Sequence, residues 1–314
     1  MHTTTAPFGL RRDLPRWRQL ITPSWLAGLL AGAPSVAAPA GPWRLFEVGY
    51  GALAHFEAGH IPGAGYIDTT ELESAPLWNK VDDAALLALL LARGIRSDVT
   101  MVLYGRNNLA AARAAHLLLY AGVADVRLLD GGFDGWRDAG LPLATGAGRV
   151  DRPATDFGAV FPGRPDTLCD MAAVRAVLAS PGGAARVLVS TRTWNEFVGK
   201  TSGYSYIAAA GDIPGARWGR AGQGDDVDSM ADYHDHAGRM KPAADIVRMW
   251  QANGIHAGQG AVFYCGTGWR ASLAFFYAWL MGWDNIAVFD GGWCEWSREQ
   301  GNPVLCRVGM AAQR

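Results

Sequence analysis

The chain has 314 residues, 50% of them hydrophobic and 18% charged, with a formal net charge of -1. That length exceeds what one compact core usually holds and suits two domains. The near-neutral balance excludes the electrostatic profile of a nucleic-acid or anionic-membrane binder, and no run of about 20 apolar residues marks a membrane span.

Residues 1–20 read as a polar N-terminal arm. Its second half, "RRDLPRWRQL", followed by "ITPSWLAGLLAGAPSVAAPA", has the basic-then-apolar order of a secretory signal. Thr22, Pro23 and Ser24 nevertheless supply N-cap and first-turn chemistry for a helix through "WLAGLL", and glycines and prolines interrupt the apolar run, so a first helix is expected. The four cysteines, Cys169, Cys265, Cys294 and Cys306, are too few and too C-terminal for a disulfide framework. A reducing, cytoplasmic setting follows, with the periplasm as the alternative if the N-terminal segment is a signal.

Residues 21–147 form the first unit. It runs through the strand "FEV", the loop "GHIPGA" (Gly59–Ala64), the strand "VLY", a helix, a further strand and the turn "DGG" at Asp130. A Gly-, Pro- and charge-rich stretch over 148–166 reads as a linker. The second unit, 167–309, repeats the order: "VLVS", "GDIPGA" (Gly211–Ala216), "VFY", helix, strand and "DGG" at Asp290. Gly105 to Asp130 spans 25 residues and so does Cys265 to Asp290, and Trp136 and Trp296 each follow six residues later. Gly105 therefore corresponds to Cys265. Strands alternating with helices predict an α/β protein made of two tandem units, each a parallel sheet with helices on both faces. A polar insertion over 218–240 is read in the second unit only.

Cys265 stands where the strand "AVFY" ends and the helix "ASLAFFYAWLMGW" begins, the edge of an open α/β sheet at which ligands bind. Unpaired N–H groups and the positive end of the helix dipole gather there, and Gly266 and Gly268 let successive N–H groups converge as a nest. Such surroundings favour a thiolate, since thiol pKa values at helix N-termini or near cations fall from about 8.5 towards ~3.5–7.5. Arg270 adds a fixed charge suited to an oxyanion. The C-x4-R spacing is one residue tighter than the C-x5-R phosphate loop of cysteine phosphatases, which fits a terminal sulfur better than a phosphate.

The "GHIPGA" and "GDIPGA" loops, "CGTGWRAS", and both "DGG" turns followed by tryptophan resemble the rhodanese family of sulfurtransferases, over roughly residues 20–305. "TSGYSYI" and "GARWGRAG" most resemble the bacterial multidomain thiosulfate sulfurtransferases. The resemblance implies that the second domain is catalytic, and that the first, with Gly105, lacks the cysteine. It implies a Cys265 persulfide loaded from a small-molecule sulfur donor such as thiosulfate and discharged to a protein or thiol acceptor, with no organic cofactor, metal, nucleic acid or membrane involved. Gly266, Thr267, Gly268, Trp269 and Arg270 would hold the persulfide, and Arg270 and Arg192 the anionic remainder of the donor. A dedicated persulfide relay fed by mercaptopyruvate or a desulfurase, a cysteine phosphatase-like enzyme and a non-catalytic binding module are the other readings. Ser190 stands where the family usually has aspartate, and Asp212 stands in the second half where the first has His60. Arg106 and Arg113 are expected to be structural or interdomain, Cys169, Cys294 and Cys306 to be packed or incidental, and His234 and His236 to lie on a surface loop.

Overall fold

The computed structural model describes residues 7–33, 36–179 and 186–309. In the first half the chain runs β1 (Leu20–Ile21), α1 (Pro23–Leu30), β2 (Trp43–Gly49), α2 (Leu53–Ala58), β3 (Gly65–Asp68), a hairpin of β4 (Glu73–Ser74) and β5 (Asn79–Lys80), α3 (Asp83–Ala92), β6 (Thr100–Tyr104), α4 (Asn108–Ala121), β7 (Val126–Leu129) and α5 (Gly132–Asp138). The second half contributes β8 (Leu168–Cys169), α6 (Met171–Ala179), β9 (Val187–Ser190), α7 (Trp194–Phe197), β10 (Arg217–Trp218), α8 (Ala243–Gln251), β11 (Ala261–Tyr264), α9 (Trp269–Leu280), β12 (Ile286–Phe289) and α10 (Gly292–Arg298).

The two large sheets share one topology. The first is ordered β1-β7-β6-β2-β3 and the second β8-β12-β11-β9-β10, five strands each and parallel throughout. Strands covered on both faces need unbroken apolar runs, and β6 ("TMVLY"), β11 ("AVFY") and β12 ("IAVF") are buried at every position. The tryptophans that follow the "DGG" turns do the same work in both halves: Trp136 Nε1 donates to Pro142 O at 2.9 Å, and Trp296 Nε1 to Pro303 O at 3.0 Å.

The N-terminal apolar run belongs to the first core. Ile21 pairs with Leu129 in the sheet, Thr22 Oγ1 caps α1 by accepting from Trp25 N, and Trp25 and Leu26 are fully buried. The polar arm expected over 1–20 is, from residue 7, a strap laid across both halves. Leu10 and Leu14 are buried, Arg16 N donates to Leu280 O at 3.1 Å, and Arg11 Nη1 to Met240 O at 3.0 Å.

The halves meet through their equivalent helices, α4 on α9, inside one hydrophobic cluster that draws residues from both. Each half also completes the other's "DGG" turn. Lys80 N, between β3 and α3, donates to Asp290 Oδ2 at 2.8 Å; Met240 N, between β10 and α8, donates to Asp130 Oδ1 at 2.9 Å. The polar insertion of the second half thus has a shorter counterpart over 69–82, and both excursions dock on the opposite half. Arg113, on α4, binds Glu73 Oε2 at 3.0 Å and Asp290 on the far side, as an interdomain contact.

Two histidines in this interface make the fold acid-sensitive. His116 packs edge-on against Phe275, and His234 Nε2 lies 2.9 Å from Tyr277 Oη. Burial, aided for His116 by the Arg113 charge, pushes each down to about 4. Both contributions are complete above pH 6.5 and are lost as pH falls from 6.5 to 4. Burial raises Asp130 to about 6 against the Met240 hydrogen bond, so acidification between pH 6 and 3.8 relieves a penalty of opposite sign. The two histidine losses are thus opposed by Asp130 and by the other carboxyls that burial raises, Glu73 and Asp212 among them. Thermal unfolding between pH 7 and pH 4 should separate the histidine share: His116→Gln, which keeps a donor for Thr167 O, should remove about one proton from the acid-side loss.

Candidate active site at the second strand-to-helix junction

β11 delivers Cys265 to the C-terminal edge of the second sheet, and α9 starts at Trp269. Between them Gly268 has φ 113°, a left-handed conformation natural to glycine, and its N–H donates to Cys265 Sγ at 3.1 Å. No side chain caps α9. The N–H groups of Gly266, Thr267, Trp269 and Arg270 take no acceptor among the described residues, so the loop offers open donors around a thiol that is only 1% exposed. Tyr204 lies across Gly266 so closely that a Cβ there would stand 2.2 Å from its ring.

Both arginines expected to reach a donor instead close on one carboxylate. Arg270 grips Glu196 through two parallel bonds of 2.8 Å and also donates to Tyr204 Oη at 2.9 Å, while its buried Nε has no partner among the described residues. Arg192 is fully buried, donating to Glu196 Oε1 at 3.3 Å, Gly211 O at 2.7 Å and Asp212 Oδ2 at 3.3 Å, with its guanidinium over Trp293. This corrects the assignment of Arg192 to substrate: its donors are spent inside the protein, and it positions the loop's supports. Burial alone would raise Glu196, but the Arg270 and Arg192 charges overcome it and hold the carboxyl down at about 2.

Glu196 was missed in the sequence, although Thr193-x-x-Glu196 spells the capping box that the structure forms at α7. The departure at Ser190 also has a physical reason. Its Oγ donates to Asp212 Oδ2 at 2.7 Å, and Tyr264 Oη donates to the same carboxylate, so the acid has moved from the strand to the loop. In the first half the pairing is inverted, with Glu47 on the strand and His60 on the loop.

A cavity of about 190 Å³ opens above Thr267, Trp269 and Arg270. Tyr50, Glu73 and Trp78 wall it from the first half, and Tyr204, Tyr206, Val227 and Asp228 from the second. Trp269 Nε1 donates to Glu73 Oε1 at 2.5 Å, tying the loop to the Arg113 network. Burial pushes the Tyr206 hydroxyl up to about 12, so it stays protonated at neutral pH. His236 is exposed while His234 turns inward, and among the described residues no group of three or more His, Cys, Asp or Glu is placed to hold a metal ion. Cys169 and Cys294 are buried, and burial raises both thiols; Cys306 is exposed.

A model of the rhodanese-like domain matches residues 45–139 and 174–299. The chain belongs to the rhodanese family. It is 51% identical to the thiosulfate sulfurtransferase YnjE of Escherichia coli over 93% of its own length and 66% of that protein's, a little under two thirds. It is 33% identical to a probable 3-mercaptopyruvate sulfurtransferase of Pseudomonas aeruginosa, covering 91% of this chain and 97% of that one. The crystal structure of YnjE superposes with a TM-score of 0.89 at 50% identity, over 93% of this chain and 69% of that one. An anaerobic ergothioneine biosynthesis enzyme from Chlorobium limicola, solved with its natural substrate trimethyl histidine, superposes with a TM-score of 0.89 at 35% identity, over 94% and 72%. This rhodanese is a tandem one, with one matched region in each half.

The rhodanese loop of the first half is closed chemically as well as missing its thiol. Asn107 Oδ1 accepts from Leu109 N at 3.0 Å, filling the amide equivalent to the open one of Trp269, and Asn108 Oδ1 accepts from Gly105 N at 3.2 Å. A Cβ at Gly105 would lie 2.5 Å from Asn107 O. Arg106 binds Glu47 at 2.9 Å and stacks on Phe133, within its own half.

Proposed function

We propose that this rhodanese moves a sulfane sulfur from a donor, thiosulfate first among them, through a persulfide on Cys265 to a thiophilic acceptor. In the first step the Cys265 thiolate attacks the outer sulfur of the donor. The donor's S–S bond breaks and sulfite departs with its electron pair. In the second, the acceptor attacks the outer sulfur of the persulfide, and the pair of that S–S bond returns to Cys265. The observation that carries this reading is the set of open N–H donors around Cys265 Sγ, which suits both a thiolate and the longer anionic persulfide. Residues 21–147 then act as the cysteine-free domain, joined by the linker 148–166 to the catalytic domain 167–309, and the first domain walls one side of the pocket. Four unpaired thiols suit a reducing cytoplasm. Intact-mass measurement of the unreduced protein after thiosulfate, mercaptopyruvate or a loaded desulfurase tests the proposal. A gain of one sulfur, removed by cyanide or reductant, is the expected result; no gain with any donor sinks it.

A further inference from the structure

The N-terminal edge of the first sheet, at the far end of its strands from the rhodanese loop, holds an open cleft of about 370 Å³. β2 and β6 start there side by side, and Arg44, Arg96 and Arg152 line it. Residues 152–155 form one wall and are fastened to the first half: Ala154 N donates to Leu91 O at 2.8 Å, and Ser97 N to Phe157 O at 2.9 Å. Arg152 O packs so closely on Gly94, at φ 67°, that a Cβ there would meet it at 2.3 Å.

The positive charge of this cleft is not spent inside the protein. Arg96 is held by Asp98 at 3.1 Å and Asp156 at 3.0 Å. Arg44 and Arg152 join no ion pair among the described residues; Arg44 donates once, to Trp43 O at 3.1 Å, and its buried Nε has no acceptor there. Alternation along β2 puts Arg44 and Phe46 on one face, where Arg149 stacks over the Phe46 ring at 4.8 Å with a second buried Nε that finds no acceptor. Arg149 and Arg93 share Asp151, and Arg93 also takes Glu71. This set holds five guanidinium groups and four carboxylates, and the cations crowd one another: burial pulls Arg149 below its ordinary value against the pull of Asp151, and the Arg44 and Arg93 charges add to the fall. The negative end of α3 offsets little, because the carbonyls of Leu89, Leu90 and Leu91 each accept an N–H.

We infer that this cleft is a binding site for a small, multiply charged oxyanion of the phosphate and sulfate class, clamped between Arg44 on the sheet and Arg152 on the wall facing it. Guanidinium groups match the oxygens of such an anion in geometry and supply the charge that it lacks. The bound anion relieves the repulsion among the arginines and ties residues 152–155 more firmly to the first sheet. The site belongs to the cysteine-free half and owes nothing to the persulfide reading.

Calorimetric titration of the full chain with inorganic phosphate, in chloride buffer of constant ionic strength, tests the inference. Phosphate should saturate and raise the melting temperature above that in chloride alone. Arg44→Gln and Arg152→Gln should each weaken phosphate roughly tenfold, the loss of one charge-assisted contact, and the two together should remove the thermal gain. In chloride alone Arg44→Gln should melt no lower than wild type, because it removes repulsion along with the charge; an arginine kept for structure would show the reverse. Glycerol phosphate separates a free anion from one carried on a larger molecule: it should bind no tighter than phosphate, and a tenfold gain for the ester would overturn the free-anion assignment. Absence of saturation, unchanged affinity in both variants, or an equal fall in melting temperature with and without phosphate would overturn the site itself. Loading of Cys265 by thiosulfate should be the same in wild type and both variants, so a failure of the persulfide reading registers separately.

Discussion

Cys265→Ala should abolish sulfur loading, with no added sulfur on the intact protein and thiosulfate turnover at the background rate. In the proposed cycle the side chain at 265 is the nucleophile of the first half-reaction and the leaving group of the second, so nothing remains to form the covalent intermediate, and a fall of at least ~10³-fold is expected. Cys265→Ser should do no better, because a hydroxyl at this position remains protonated at neutral pH and cannot carry sulfane sulfur. The fold should survive the change. The thiol makes one hydrogen bond, from Gly268 N, and losing a group this small costs about 1 kcal/mol. Sulfur retained on Cys265→Ala would transfer the role to another thiol, with Cys294, whose N–H donates to Gly266 O at 2.9 Å, the first to examine.

Arg113→Met should destabilise the protein by about 3 to 5 kcal/mol, the usual cost of stripping a buried ion pair of one partner. The change strands Glu73 and Asp290 together in the interface, 2% and 6% exposed, with Trp269 attached to Glu73 and Lys80 N to Asp290. Because the contact joins the halves, calorimetry should show one transition in the wild type and a broadened or split one in the variant. Neutralising the stranded acids as well, with Glu73→Gln and Asp290→Asn, should recover more than half of the loss. A cost below about 1 kcal/mol would mean that water enters and that the interface does not depend on this pair.

Much of this was legible in the sequence because it is local or periodic. The repeat around Gly105 and Cys265 fixes two sheets of one strand order, and the strand-cysteine-glycine-helix run locates the loop. What stayed hidden depends on pairings between residues far apart in the chain. Arg270 looked free because Glu196 lies 74 residues from it, and Arg192 because Asp212 lies 20 residues on, although its other partner, Glu196, is only four residues away. The cavity over the cysteine loop is equally invisible in sequence, since Tyr50 and Trp78 come from one half, Tyr204 and Tyr206 from the other. Residues 7–20 looked like a loose arm because their anchors, Met240 and Leu280, lie more than 200 positions downstream.

The reciprocal closure of the two "DGG" turns, Lys80 onto Asp290 and Met240 onto Asp130, has the form of an isologous contact between identical subunits, although it occurs within one chain. The molecule is organised as a dimer whose protomers share a backbone. In that arrangement each copy is the other's scaffold. The copy with asparagines in its loop keeps its part in that assembly without a cysteine, and its Tyr50 and Trp78 wall the cavity over its neighbour's loop rather than its own.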